Sequence, residues 1–585
     1  MKWLTIHILL PTVYALVCLS SGLAMQEGKD RFIDRVYVRV DAHKSQWKCD
    51  IRTAPARQRR GQFDAIATLE SSPSGFQRLE VYAGVTPAKS HFEARVYAFA
   101  AGCAEAYLSQ HDMFNYWFNY AANEYGKDGP SSALLAFMQA QWDFSEIERS
   151  RNTALDLLMT QFDGLVEGYS QSIREHKREN ETLSPLTLYM LNSVGDLENL
   201  NGLFKGSEDT DRFGQYPPLP TQLRETDCSG LVRLTADGDI LVGHATWRAY
   251  YAMLRVYKIY HYQYGDVLGT GVTNPVVSFS SSPGFLHSKD DFYASEKLIV
   301  FETTNNVFNQ TLFELYIKNT TLLSWQRAMT ATISAPDAST WTSVFSQHNS
   351  GTYDNSWVVV DLERGGKNVK DWVDGVIVLA EQIPGFVAVT DVTDVFARQQ
   401  YWPSFNIPYS TFIYNMSGYP AYKEKYGERY DYNMCPRAQI FRRNATLIEN
   451  VDDMKDMMRY NAYKTDPISE GDPTVAVAPR YDLDPEKPLA FGAVDAKVTS
   501  LRAILHSLRR GDDSVYPVHQ KVGGQGGSYR HCRIPVSAVN GPTTYDGIPP
   551  FQWSDSPFST IPVGVPDRFD YEYAEFCSRP LHPYH

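Results

Sequence analysis

The feature that most constrains this chain is a pair of strand-like runs, Cys228-Ser-Gly-Leu-Val-Arg-Leu and Ile240-Leu-Val-Gly-His-Ala-Thr, set either side of Thr235-Ala-Asp-Gly-Asp. Two such runs about an Asp-Gly turn predict a β-hairpin. Directly before them, residues 205–225 are polar, carry three prolines and show no apolar period, which predicts an exposed loop. Cys228 therefore opens a strand just behind a segment suited to cutting. If the bond between Asp227 and Cys228 breaks, the freed α-amine lies beside the thiol. With a reference pKa near 8, that amine can take the thiol proton, so one residue supplies nucleophile and base. Before the cut, the same thiol can attack the preceding carbonyl. The plain alternative is that Cys228 is one of the small apolar residues that cysteine often provides in strands.

Around this hairpin the chain mixes strands and helices. Val36-Tyr-Val-Arg-Val and Leu79-Glu-Val-Tyr-Ala alternate as strands, with Ser71-Ser-Pro-Ser-Gly as a turn cluster. From Ala98 to about Lys177 the period lengthens to that of helices, as in Leu134-Leu-Ala-Phe-Met and Ala154-Leu-Asp-Leu-Leu-Met. Trp247, Tyr251, Leu254 and Lys258 recur at helical spacing and predict a helix over about 247–260. Further strands are predicted at Lys297-Leu-Ile-Val-Phe-Glu-Thr-Thr, Trp357-Val-Val-Val-Asp-Leu and Val376-Ile-Val-Leu-Ala, and further helices around 322–333 and 450–460. No internal repeat is visible. Gly523-Gly-Gln-Gly-Gly lacks the strand and helix that a phosphate-binding loop needs and is expected to be a flexible loop.

With 43% hydrophobic and 13% aromatic residues, the chain has the means to fold. A net charge of -13 argues against a nucleic-acid partner, because phosphate binding draws on Lys and Arg. Lys2, an apolar run from Ile6 through Leu19 and the small residues before Ala24 predict a signal peptide over residues 1–24. No later stretch is apolar enough to predict a transmembrane segment. A secretory route makes the sequons at Asn180, Asn309, Asn319, Asn415 and Asn444 possible glycosylation sites. It also suits disulfides among Cys49, Cys103, Cys228, Cys435, Cys532 and Cys577. Three bridges would use all six; a nucleophilic Cys228 leaves at least one further thiol unpaired.

The motifs of serine-elbow lipases, zincins and P-loop enzymes are absent, and Cys228 is not in a papain-like context. The histidines are scattered without ligand spacing, so neither a metal nor a cofactor is expected.

Asp227-Cys-Ser-Gly-Leu-Val-Arg-Leu followed by His244-Ala-Thr-Trp-Arg-Ala-Tyr-Tyr resembles the nucleophile region of the phospholipase B-like (lamina ancestor) family. The resemblance continues in order through Ser278-Phe-Ser-Ser-Ser-Pro-Gly, Asp290-Asp-Phe-Tyr, Phe301-Glu-Thr-Thr, Asn349-Ser-Gly-Thr-Tyr-Asp-Asn, Phe405-Asn-Ile-Pro-Tyr and Cys435-Pro-Arg-Ala to about Trp553. It implies an α+β fold, the N-terminal nucleophile hydrolase αββα sandwich, in which two packed antiparallel sheets lie between helical layers. It also implies a secreted or lysosomal glycoprotein cut before the nucleophile, with residues 25–227 as the N-terminal chain and 228–585 as the catalytic chain, the two staying associated. Two departures stand out: Asp227 replaces a small or neutral residue, and Ala245 a polar one.

By this resemblance Cys228 is the nucleophile. His244 orients substrate or assists proton movement, Asn406 donates to an oxyanion, and Arg437 holds the site or a negative group of the substrate. Trp247 and Thr304 border the substrate, although Thr303 points to the opposite face of the same strand. The expected partner is a lipid or N-acyl small molecule. The implied activity is hydrolysis of phospholipid acyl esters; an N-acyl amide hydrolase, or a low-activity lysosomal glycoprotein that binds lipid or protein, are the alternatives.

Overall fold

The computed structural model describes residues 33–42, 47–53, 63–204, 228–265, 273–509, 532–558 and 561–579. The predicted signal peptide, the loop at 205–225, Asp227 and the glycine-rich loop at 523–527 lie outside the described residues.

The chain opens with a meander of four strands, β1 (Ile33–Asp41), β2 (Lys48–Arg52), β3 (Ala65–Ser71) and β4 (Gln77–Ala83). Five helices follow: α1 (His91–Glu124), α2 (Ser132–Glu148), α3 (Thr153–His176), α4 (Pro185–Asn192) and α5 (Val194–Phe204). The predicted hairpin is β5 (Cys228–Leu234) with β6 (Ile240–Ala249), and β7 (Val256–Tyr262), β8 (Val276–Ser281), β9 (Phe292–Ser295) and β10 (Leu298–Thr304) come next. Beyond three intervening helices (Thr311–Tyr316, Ser324–Ser334 and Ala338–Phe345) lie β11 (Asn355–Asp361), β12 (Ile377–Ile383), β13 (Phe386–Asp391) and β14 (Tyr401–Ser404). The last strands are β15 (Phe491–Ala493), β16 (Asp495–Ser500), β17 (Arg533–Asn540), the short pair β18 (Phe551–Gln552) and β19 (Arg568–Phe569), and β20 (Ala574–Ser578).

These strands make a large sheet in the order β13-β12-β11-β10-β9-β8-β7-β4-β3-β1-β2 and a smaller one in the order β14-β5-β6-β16-β17-β20, with β15 added to β6. Val232, Ile240 and Val242 of the small sheet meet Tyr257, Ile299, Phe301 and Val358 of the large one in a core between them. The opposite face of the small sheet, with Leu231, Leu241 and Val498, is covered by Phe441, Met454 and Met458 of the helices Pro436–Asn444 and Val451–Met458. The outer face of the large sheet, with Val36, Tyr260, Val300 and Val359, packs on Ala98 of α1 and Leu158 of α3. The layers therefore run helices, sheet, sheet, helices. α1 and α3 approach backbone to backbone, since a Cβ on Gly164 would come within 2.0 Å of the Phe99 carbonyl oxygen.

Two expectations need correction. The stretch 247–260 is not a helix: β6 runs on to Ala249, a single 3-10 turn spans Tyr250–Ala252, and β7 begins at Val256. Every residue of β7 is buried, with Tyr257 and Ile259 toward the small sheet and Val256 and Tyr260 toward the helices. A strand buried on both faces loses its alternation, so apolar residues fell by accident at helical spacing. The second correction is that the large sheet is not wholly antiparallel: β4 pairs with β7 in parallel, Gln77 with Val256 through Ala83 with Tyr262.

That parallel ladder joins the segment before Cys228 to the segment after it, and polar contacts reinforce the join. Arg78 forms ion pairs with Glu70 and Glu80 and donates to the Cys577 carbonyl, while Glu80 accepts from the backbone N–H of Arg579 and contacts His261 at 2.9 Å. Burial opposes the Glu80 charge, but the hydrogen bond to His261 and the charges of Arg78 and His261 outweigh it and hold the carboxyl at about 2. A carboxyl depressed on folding contributes stability above its unfolded value, near 4.3, and loses it as pH falls through the folded value. Thermal melts are therefore expected to drop between about pH 4 and pH 2, with on the order of 3 kcal/mol assignable to Glu80. In Glu80→Gln that part of the acid dependence should be missing; an unchanged acid limb would show that Glu80 titrates normally.

Candidate active site

Cys228 is the first residue of β5 and is almost fully buried, at 2% exposure. Register places it opposite Thr246 of β6, and Gly230, two residues on, opposite His244. Gly230 lets the sheets close here, since a Cβ at that position would lie 2.3 Å from the Phe301 ring. Cys49 pairs with Cys103 and Cys532 with Cys577, which leaves Cys228 and Cys435 as thiols. Of the two readings of the six cysteines, the structure fits the one that keeps Cys228 and one further cysteine out of bridges. Burial pushes the Cys435 thiol up to about 11, so it stays protonated.

Of the six residues singled out in sequence, Cys228 and Thr304 contact the carboxylate of Glu302 on β10, His244 contacts its backbone carbonyl, and Asn406 joins through Thr304. The Cys228 Sγ lies 3.8 Å from Glu302 Oε1, within reach of a weak thiol donor. His244 Nε2 is 2.8 Å from the Glu302 carbonyl oxygen. Because a carbonyl only accepts, Nε2 carries the proton. Burial, then the Lys497 cation, holds the His244 ring uncharged far below its ordinary range. Thr304 Oγ1 donates to Glu302 Oε2 at 3.4 Å, whereas Thr303 Oγ1 meets Ser404 Oγ at 2.6 Å on the other side of the strand. Asn406 Nδ2 donates to the Thr304 carbonyl at 2.7 Å, and its own backbone N–H donates to Thr303 Oγ1 at 3.3 Å.

Arg437 reaches Cys228 from the opposite face of the small sheet, with Trp247 beside it. Arg437 stands in the first turn of the helix Pro436–Asn444 and donates to the Cys228 carbonyl at 2.6 Å and to Ser229 Oγ at 3.3 Å. Its guanidinium stacks 4.3 Å above the Trp247 ring, whose Nε1 donates to the Val477 carbonyl. Burial lowers Arg437 to about 10, which leaves it a cation at neutral pH. Arg437 thus grips the backbone of Cys228 rather than its sulfur, and Trp247 backs Arg437.

Sequence reasoning gave no role to the groups that complete the site. Tyr353 OH donates to Asp291 and lies 3.2 Å from Glu302 Oε1, while Lys289 Nζ donates to Tyr353 OH at 3.0 Å. Burial raises the Asp291 carboxyl above its ordinary range, against the pull of Lys289 and of hydrogen bonds with Glu302 and Tyr353. Across from Cys228, Thr246 is fixed by a second buried set. Lys497 Nζ bonds Thr246 Oγ1 and Asp495 Oδ1, each at 2.7 Å, and Arg255 pairs with both Asp495 and Asp290. Among the described residues nine non-glycine residues have positive φ, and three of them, Asp291 (49°), Tyr353 (55°) and Asn406 (67°), are in this site. Strain of that kind persists where surroundings over-determine the backbone, as at functional sites. The signal available in sequence was Glu302 itself: an acid in a run otherwise apolar on both faces requires buried partners.

Comparison with known proteins gives a concordant picture. A family model described as Phospholipase B matches residues 67–510. The chain is 35% identical over 559 residues to Phospholipase B-like protein G of Dictyostelium discoideum, covering 88% of this chain and 86% of that one. It is 34% identical over 519 residues to Phospholipase B-like 1 of Homo sapiens, covering 86% and 84%, and 32% identical over 508 residues to Putative phospholipase B-like 2 of Bos taurus, covering 81% and 80%.

Proposed function

The chain belongs to the phospholipase B family, and from that premise we propose that it is an N-terminal cysteine hydrolase of acyl esters, built on the N-terminal nucleophile hydrolase fold and activated by cutting its own chain before Cys228. The observation that supports this most is the meeting of Cys228, His244 and Thr304 at Glu302, with Asn406 bonded to the Thr304 carbonyl and Arg437 to the Cys228 carbonyl.

In the cut protein the α-amine of Cys228 takes the thiol proton, and the thiolate adds to the acyl carbonyl of a phospholipid. The oxyanion that forms needs a fixed donor in a dry site. Asn406 suits this: it is 1% exposed, held at positive φ, and one amide N–H is spent on Thr304 while the amide has two. The α-ammonium then returns its proton to the leaving alcohol, and water hydrolyses the acyl thioester. His244, uncharged and bound to the Glu302 carbonyl, braces the strands and takes no proton. Arg437 and Trp247 fix the angle at which the new N-terminus is presented.

Two disulfides suit a secreted or lysosomal protein, since such bonds persist in oxidising compartments. Asn180, Asn319 and Asn415 are exposed and fit glycan attachment. Asn309 and Asn444 are half-buried, and the side-chain amide of Asn309 is engaged with the Met416 carbonyl. Among the described residues no helix is long and apolar enough to cross a membrane.

The test is release of fatty acid from phospholipid vesicles and from N-acyl amides by cut protein, beside Cys228→Ala. Cysteine-dependent release from phospholipid at the higher kcat/KM is the expected result. Preference for the amide would move the assignment to an amidase. Binding of either lipid with no cysteine-dependent release would make the chain a binding protein.

A further inference from the structure

The cut itself poses a chemical problem, because in the intact chain the nitrogen of Cys228 is an amide and cannot serve as a base. Another group must take the thiol proton. His244 is poorly placed for this. Its register partner is Gly230 rather than Cys228, and burial beside the Lys497 cation opposes any charge on its ring. Thr246, opposite Cys228, is a hydroxyl already engaged with Lys497 and with the Asp290 carbonyl. Glu302 is different: its Oε1 is 3.8 Å from the sulfur, and a second buried carboxyl, Asp291, is tied to it through the Tyr353 hydroxyl. Two carboxyls that close in a buried site cannot both be charged cheaply, so the pair holds a proton and can pass one.

We propose that Glu302, backed by Asp291 and Tyr353, is the proton acceptor that activates Cys228 for cutting its own chain. This rests on the self-cleavage described under the proposed function. The S–H bond breaks and its proton passes to the Glu302 carboxylate. The thiolate sulfur bonds to the carbonyl carbon of residue 227, the bond from that carbon to the Cys228 nitrogen breaks, and the nitrogen takes the proton back from Glu302. A thioester and a free α-amine result. Water then adds to the thioester carbon, releasing residue 227 as a carboxylic acid and restoring the thiol. From that point the α-amine is available as the base and Glu302 has done its part, so one thiol is served by two bases in succession.

The charged and titratable groups that bear on Glu302 come from several elements. Lys289, Asp290 and Asp291 belong to the loop before β9, Tyr293 to β9 and Tyr353 to the loop before β11; Cys228 and His244 are on the small sheet; Glu198 of α5 acts through its ion pair with Lys289. Because burial raises the Asp291 carboxyl and so keeps a proton beside Glu302, the cleavage rate should rise with pH through a range above that of ordinary carboxylates.

The experiment follows the appearance of the Cys228-Ser-Gly N-terminus in full-length secreted protein across pH, for the parent, Cys228→Ala, Glu302→Gln and Glu302→Asp. Expected is at least a roughly 100-fold slower cut in Glu302→Gln, with the pH dependence flattened and Glu302→Asp recovering much of the rate. If Cys228→Ala stays intact while Glu302→Gln is cut at the parental rate and with the parental pH profile, self-cleavage stands and Glu302 is not the base. If Cys228→Ala is cut like the parent, both readings fall. Should Glu302→Gln not be recovered with a parental melting temperature, Tyr353→Phe decides. It keeps both carboxyls but removes the donor that favours their charged form, so the profile must move to higher pH; an unmoved profile overturns the proposal.

Discussion

Cys228→Ala is expected to leave one uninterrupted polypeptide where the parent yields two, and to lower hydrolysis by roughly 10^4-fold or more. The effect is large because one atom is lost from two reactions, the cut and the turnover. Fragment masses and N-terminal sequencing check the first, fatty-acid release the second. The substitution is small and the site already buried, so folding should be spared: the two disulfides join other cysteines, and the backbone contact from Arg437 to the Cys228 carbonyl does not involve the thiol. A parent that is never cut, or cut elsewhere with the Cys228 thiol still inert, would remove the nucleophile from the mechanism.

The largest loss of stability is expected from Asp495→Asn, about 3–5 kcal/mol in denaturant or thermal unfolding near neutral pH. Asp495, Lys497 and Arg255 all have fully buried side chains, and Asp495 is the carboxylate the two cations share. Removing its charge leaves Lys497 facing only the Thr246 hydroxyl among its direct bonds described above, and an uncompensated buried charge is far more costly than a missing pair. Burial opposes the charge of Asp495, yet Lys497 and Arg255 outweigh it and hold the carboxyl well below its ordinary range. Its contribution is therefore present above the unfolded value near 3.9 and lost as pH falls through the folded one, so acid should narrow the gap between parent and variant. Replacing Lys497 by Met in the same chain should recover part of the loss, since both charges are then gone. No recovery would mean that Asp495 acts through packing alone.

Much of this was legible from the residues. The Asp-Gly turn flanked by apolar runs gave the hairpin, and its position after a polar, proline-bearing stretch marked Cys228. The helices of residues 134–138 and 154–159 and the strands at 297–304 and 357–362 also fall where their periods place them. The stretch at 247–260 was misjudged because period-two alternation is erased when both faces of a strand are buried, as they are in β7. The parallel pairing of β4 with β7 was out of reach for another reason: the partners are separated by more than 170 residues, and nothing local specifies such a contact. Glu302, Asp291 and Tyr353 lay in stretches that resembled the family, yet the roles proposed for them depend on loops and strand ends meeting around one sulfur. Only the register of the sheets brings them together.

If the chain is cut before Cys228 as proposed, the β4–β7 ladder bears on how long the protein then lasts. Neither disulfide crosses position 228: Cys49 is bonded to Cys103 on one side and Cys532 to Cys577 on the other. The two pieces of a chain cut there would thus be held by a shared sheet and core, not by a disulfide. While the chain is whole, a short tether keeps each half at an effective concentration in the millimolar range for the other. Cutting removes the tether without disturbing a single contact of the ladder, so the folded state persists while the route back to it becomes a meeting of two separate molecules. The cut protein is then durable by the height of its unfolding barrier, and a molecule that unfolds after activation does not return by the path that made it.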